Sequence, residues 1–149
     1  MKWQEKESTE MGQNLTLDRS SRTVVSRMEH VHLAVADLDR SIEWYSKVFG
    51  FEIRWTDGRT AHIGTDRFYV AVTAHRGLPP SEGDRTGTAR IVHFAFATPD
   101  LKALGERLLA AGVEPWGDAS RAEGDAIYLH DPDGNAIEVV GYVDGYVYA

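Results

Sequence analysis

The sequence predicts an α+β protein made of two successive β-α-β-β-β modules, and three observations carry that reading. Each half opens on a run in which bulky apolar residues alternate with histidine or alanine, the period-2 signature of a half-buried strand. Each run leads into an amphipathic helical stripe that begins near an aspartate and stops at a glycine. The opening also repeats: His30-Val31-His32-Leu33-Ala34 is echoed by His93-Phe94-Ala95-Phe96-Ala97, and Asp37-Leu38 by Asp100-Leu101, both at an offset of 63 residues.

The elements follow in order. Order is expected to begin at Met28, with residues 1–27, polar and without periodicity, forming a flexible extension. Val31, Leu33 and Val35 make the apolar side of the first strand. Asp37 or Asp39 caps a helix whose Ile42, Tyr45, Val48 and Phe49 lie on one side, and Gly50 suits its end. Phe51, Ile53 and Trp55 alternate as a second strand, Asp57-Gly58 marks a hairpin, and strands near 60–64 and 68–74 complete module one, 28–76. The Gly/Pro-rich stretch 77–88 reads as a linker. Module two, 89–142, restarts with Val92, Phe94 and Phe96 on the apolar side of its first strand. Leu101, Leu104, Leu108 and Ala111 form the helical stripe, Gly112 ends it, and Trp116 echoes Trp55. Strands Ala126 to His130 and Ala136 to Val140, joined by Asp131-Pro132-Asp133-Gly134-Asn135, close the module, and 143–149 is a tail. Neither half holds enough core to fold alone, so each must pack on the other or on a second chain.

Composition narrows the function. The 149 residues are 42% hydrophobic, with 16 basic and 23 acidic side chains and a formal charge of −7. Nucleic-acid binding relies on Lys and Arg neutralising phosphates, so that balance argues against nucleic acid, and against an anionic membrane surface for the same reason. No apolar run approaches the roughly 18 residues of a membrane span. The first 27 residues lack the apolar core of a secretory signal, which makes the cytoplasm the expected compartment. Cysteine is absent, excluding disulfides, thiolate ligands and a cysteine nucleophile. Gly83 and Gly87 form no phosphate-binding fingerprint, and Ser41 and Ser46 have no histidine at a suggestive spacing.

Strand phase separates a core from a polar face. His30, His32 and Ala34 oppose the apolar side of the first strand, and His93, Ala95 and Ala97 do so in its repeat. Glu138 stands between Ile137 and Val139, where a buried carboxylate needs a partner. Two imidazoles in matching register and one carboxylate form a donor set suited to a divalent metal with open positions for substrate or water. Taken singly, a strand histidine is more often solvent-facing, and Glu138 could equally be the ion-pair partner of an arginine.

At these residues the chain resembles a known family. The stretch from His30 through Ser41-Ile-x-Trp-Tyr-Ser-Lys-Val-Phe-Gly-Phe51, and the closing Ile127-Tyr-Leu-His-Asp-Pro-Asp-Gly-Asn-Ala-Ile-Glu138, resemble the two ends of the vicinal oxygen chelate superfamily. That superfamily includes glyoxalase I, extradiol dioxygenases, fosfomycin-modifying enzymes, methylmalonyl-CoA epimerase and metal-free bleomycin-binding proteins. The likeness covers about 28–142, and Asp-Pro-Asp-Gly…Glu is among its most specific local signatures. It implies the glyoxalase/bleomycin resistance/dioxygenase fold: paired βαβββ modules whose mixed sheets curl around a metal site. Carried over by position, His30, His93 and Glu138 are the metal ligands, holding Mn²⁺, Fe²⁺, Ni²⁺ or Zn²⁺.

The candidate catalytic residues are Tyr128, donating to a metal-bound oxygen, and His32, on the pocket wall. Glyoxalase I usually adds a glutamate at the place where this chain has Ala71. Extradiol dioxygenases share a tyrosine ten residues before the metal glutamate, as Tyr128 is, but their acid–base histidine falls at Phe68 or Tyr69, with His75 several residues late. Glu123-Gly-Asp-Ala-Ile-Tyr128 looks like the loop before the last hairpin of the fosfomycin thiol transferases, and Trp116 and Arg121 sit comparably. Ala122 and Ala126 replace hydroxyl-bearing residues there, His32 replaces a threonine, and no arginine after Glu138 is placed to grip a phosphonate. The expected function is that of a metal-dependent enzyme, a glyoxalase- or thiol-transferase-like lyase or transferase, which chelates the vicinal oxygens of a small-molecule substrate, with a thiol as a candidate cosubstrate. The alternatives are a single-domain extradiol-type dioxygenase and a non-catalytic binding protein walled by Trp44, Trp55, Tyr69 and Trp116. A homodimer is expected, as in many small members whose metal site is shared between chains. Tyr142, Tyr146 and Tyr148 are candidates for covering a sheet edge or lying at its interface.

Overall fold

Residues 28–75 and 91–143 are described by the computed structural model. The expected N-terminal extension, the linker and the tail from 144 onward, with Tyr146 and Tyr148, lie outside the described residues. In the first module β1 (His30–Val35) leads to α1 (Leu38–Phe49), then β2 (Glu52–Thr56), β3 (Thr60–Gly64) and β4 (Tyr69–Ala74). The second module repeats the order with β5 (Phe94–Ala97), α2 (Leu101–Ala111), β6 (Gly117–Arg121), β7 (Gly124–His130) and β8 (Ala136–Tyr142). Each module is one mixed four-stranded sheet, ordered β1-β4-β3-β2 and β5-β8-β7-β6. The first strand of each runs parallel to the last, β1 with β4 and β5 with β8, and the remaining pairs are antiparallel. None of the described helices is long and apolar enough to cross a membrane.

Local chemistry explains the boundaries. Asp37, not Asp39, caps α1 by accepting the Arg40 N–H at 2.9 Å, and Asp100 caps α2 through the Ala103 N–H at the same distance. Gly50 and Gly112 close both helices in the left-handed conformation that lacks a penalty only for glycine. In the first hairpin Asp57 Oδ1 accepts the N–H groups of Arg59 and Thr60 while Gly58 takes φ +84°.

Three expectations change. β5 starts at Phe94, so Val92 is not in the core: it is 78% exposed, beyond the ladder that first pairs Phe94 with Ile137. Ile53 and Trp55 form a strand as their alternation predicts, but β2 is an edge strand and both remain exposed, while Phe51, just ahead of it, is buried. Residues 123–128 are not a loop. Only Ala122 and Glu123 turn the chain between β6, a polar edge strand of sequence Gly-Asp-Ala-Ser-Arg, and β7.

The modules share one core, as their small size requires. Leu33, Val35, Val48, Ile63, Val70 and Val72 join Leu104, Leu108, Leu129, Ile137 and Val139 in a single buried cluster. Phe96 stands 5.1–5.5 Å from the rings of Phe49, Phe51 and Phe68 in the other module. Arg107 on α2 donates to the Lys47 carbonyl at 2.9 Å, supplying positive charge to the C-terminal end of α1. The 131–135 turn clasps the start of α1. Buried Asp131 accepts the Tyr45 hydroxyl at 2.9 Å, and Asp133 Oδ1 accepts the Ala36 N–H at 2.8 Å and Arg40 at 3.1 Å.

Candidate functional site

The register of sheet two builds the site around Glu138. On β8 this residue pairs with Ala95 of β5 on one side and Tyr128 of β7 on the other. Cross-strand partners share a face, so the carboxylate rises between a methyl group and a phenol. It is only 7% exposed and fully partnered. Oε1 accepts from Arg121 and from the Tyr128 hydroxyl at 3.0 Å, while Oε2 lies 3.2 Å from His93 Nε2. Burial acts most strongly on this carboxyl and raises its pKa. Hydrogen bonds from Arg121 and Tyr128, then the charges of Arg121 and His93, outweigh burial and hold it below its ordinary value.

Sheet one treats the matching position differently. Ala71 occupies on β4 the place of Glu138, flanked by His32 of β1 and His62 of β3. His32 Nε2 is 2.8 Å from Thr73 Oγ1, which is 2.8 Å from Thr60 Oγ1, so the imidazole sits at the head of a short hydroxyl chain. A cavity of about 350 Å³ lies against His32, Thr73 and His75. Beside it a row of rings crosses the whole sheet: Trp55 on His62 at 4.9 Å, His62 on Tyr69 at 4.4 Å, and Tyr69 on His30 at 4.8 Å. Trp116 has a similar setting in sheet two, 5.1 Å from Tyr128 and 5.3 Å from His130.

Of the five residues singled out in the sequence, the fold brings His93, Tyr128 and Glu138 together and leaves His30 and His32 on the other sheet. His30 Nδ1 is bonded to Glu29 at 2.6 Å and its ring stacks on Tyr69. Among the described residues no three His, Asp or Glu side chains converge within one chain as a metal cluster. Matching register in two repeats establishes equivalence of position, not proximity: His30 lies in β1 of the first sheet, whereas His93 directly precedes β5 of the second. Of the four candidate aromatic walls, Trp44 packs edge-on against Tyr45 and Phe49, whereas Trp55 and Trp116 are exposed.

Sequence reasoning missed His62, whose alternation with Ala61 and Ile63 could have placed it on the face of His32. It also left unnamed the arginine that pairs with Glu138, because Arg121 reaches the carboxylate from β6 across the intervening β7. Chemically, His93 and Glu138 offer one imidazole nitrogen and one fixed carboxylate oxygen in contact, two of the three donors that an open divalent site uses.

Comparison with known proteins agrees with this architecture. The family model described as the Glyoxalase/Bleomycin resistance protein/Dioxygenase superfamily matches residues 27–139. The chain is 32% identical to the glutathione transferase FosA of Serratia marcescens over 123 residues, 78% of this chain and 81% of that protein. It is 31% identical over 113 residues to catechol-2,3-dioxygenase of Bacillus subtilis, matching 74% of this chain but spanning only 39% of that enzyme. A solved structure from the mobile metagenome of V. Pseudocholerae superposes with a TM-score of 0.62 at 26% identity, covering 83% of this chain and 99% of the other. With its duplicated modules and an Asp-Pro-Asp-Gly turn leading to a buried strand glutamate, the chain belongs to the Glyoxalase/Bleomycin resistance protein/Dioxygenase superfamily.

Proposed function

We propose that the chain is a metal-dependent enzyme acting on a small substrate with adjacent oxygens, assembled as a homodimer. His93 and Glu138 of one copy, with His30 of the other, would hold a divalent ion such as Mn²⁺, Fe²⁺, Ni²⁺ or Zn²⁺. The observation that carries this reading is the contact of His93 Nε2 with Oε2 of a carboxylate kept buried and ionised among donors. A second copy is supported by the edges. β1 and β5 are each outermost in their sheets, and Met28, Ile91 and Val92 beside them are more than two-thirds exposed.

The residues divide the work as follows. A bound divalent ion supplies Lewis acidity to the substrate's oxygens. Tyr128, whose one hydroxyl proton goes to Glu138 Oε1, would turn that proton to a substrate oxygen on the same sheet face. His32, oriented by Thr73, exchanges a proton with substrate from the opposing face. The chain contains no cysteine, so in a thiol-transfer reaction of the kind named for the Serratia relative the sulfur arrives with a cosubstrate. Oxygen-dependent ring cleavage is the second reading. It is favoured by the Tyr128–Glu138 hydrogen bond and by the dioxygenase relative, and it requires oxygen uptake by anaerobically Fe²⁺-loaded protein offered a catechol.

The test is metal binding by purified, chelator-stripped protein, followed with Mn²⁺ at equilibrium and with sedimentation on the same samples. One ion per chain in a dimer is expected, with binding lost in His30→Ala, His93→Ala and Glu138→Ala. Wild-type protein that binds no divalent ion, or variants that bind as wild type does, would overturn the reading.

A further inference from the structure

Resting on that reading, a second question is what the Arg121 guanidinium does against the candidate metal carboxylate. The two oxygens of Glu138 are used differently. Oε1 is held by Arg121 Nη2 and the Tyr128 hydroxyl, and Oε2 is turned toward His93. Arg121 comes from the edge strand β6, two strands away from β8. Small residues line its route: Ala119 pairs with Ala126 on the face that also carries Arg121 and Tyr128, and Ala126 is fully covered. A guanidinium remains charged at any pH at which the protein is folded, so proton loss cannot remove it from the site. Its other nitrogen, Nη1, lies 3.8 Å from Glu123, which only partly offsets that charge.

We infer that Arg121 is a positioning residue that competes with the divalent ion for Glu138. It presents the carboxylate through Oε2 alone and holds the affinity down, keeping the ion exchangeable. Two effects act together. With Oε1 bonded to Arg121, the carboxylate meets an ion through one oxygen rather than two, and a fixed positive charge beside the site opposes a doubly charged ion. A neutral side chain at 121 removes both.

The experiment titrates Mn²⁺ into the stripped full-length protein and reads free Mn²⁺ by electron paramagnetic resonance. Arg121→Met and Arg121→Gln are expected to bind about tenfold more tightly than wild type, and Arg121→Lys within about threefold of it, because lysine restores the charge. Neutral variants that bind no more tightly than wild type overturn the inference while leaving the metal reading intact. A lysine variant as tight as the neutral ones overturns it too, since charge would then not be the cause. Absence of binding in wild type and all variants brings down the metal reading and this inference together.

Discussion

Strand for strand the two modules repeat one another, yet they fill the central position of the sheet face with opposite chemistry. In the first, Ala71 lies between two imidazoles; in the second, Glu138 lies between a methyl group and a phenol. The turns diverge as well. Asp131 of the second module is buried, accepting from Tyr45, from Asn135 Nδ2 and from the N–H groups of Asp133 and Asn135. The corresponding turn of the first module exposes Thr65, Asp66 and Arg67 and leaves a cavity of about 350 Å³ between Phe68 and the start of α2. A duplicated scaffold thus separates its tasks. One copy carries the fixed charge and the clasp, and the other supplies titratable rings and the helix that is clasped.

Substitutions in matched pairs can break that comparison. The largest effect is expected at the hairpins. A side chain at Gly124, φ +150°, would press its Cβ to 2.2 Å from the Gly141 carbonyl oxygen, whereas Gly58 has open space around it. Gly124→Ala should cost about 4 kcal/mol in urea unfolding and Gly58→Ala about 1, the latter for left-handed backbone alone. Next comes the clasp. Asp131→Ala should cost about 3 kcal/mol by leaving the buried Tyr45 hydroxyl and three part-buried N–H donors without their acceptor, against less than about 0.5 for Asp66→Ala. Equal losses would show the two turns to be equivalent after all.

The smallest effect is pH-dependent. The folded pKa of Glu138 lies below its ordinary value, so its contribution is complete above about pH 4.5 and is lost as pH falls through the lower folded value. Glu138→Gln should therefore be less stable than wild type at pH 7, by less than either glycine substitution or the clasp substitution costs, and the gap should close in acid. A gap that persists at pH 3 would assign the loss to packing instead.

What could be read from the sequence was local. Alternation around Val31 and Phe94, the leucine stripe of α2, and capping by Asp37, Gly50 and Gly112 are written in neighbouring residues. The correspondence of Ala71 with Glu138 comes instead from the strand registers, where each pairs with the equivalent repeat position of its module's first strand. β6 escaped because an edge strand with two open faces needs no apolar period. The pairing of Glu138 with Arg121, the flanking of Ala71 by His62, and the separation of His30 from His93 depend on which strands become neighbours. No window of the sequence encodes that. Tyr45 read as one more apolar position on α1, and nothing near it announced that its hydroxyl ends on Asp131.

That last contact also bears on how the chain folds. Tyr45 and Asp131 are 86 positions apart, and Ala36 and Asp133 are 97. The first helix is thus anchored by residues that leave the ribosome long after it, and the clasp can close only once the final hairpin exists. Contacts of such long range slow folding and tie both ends of the process into one step. The duplicated halves, alike enough to be read as separate units, should melt in a single transition.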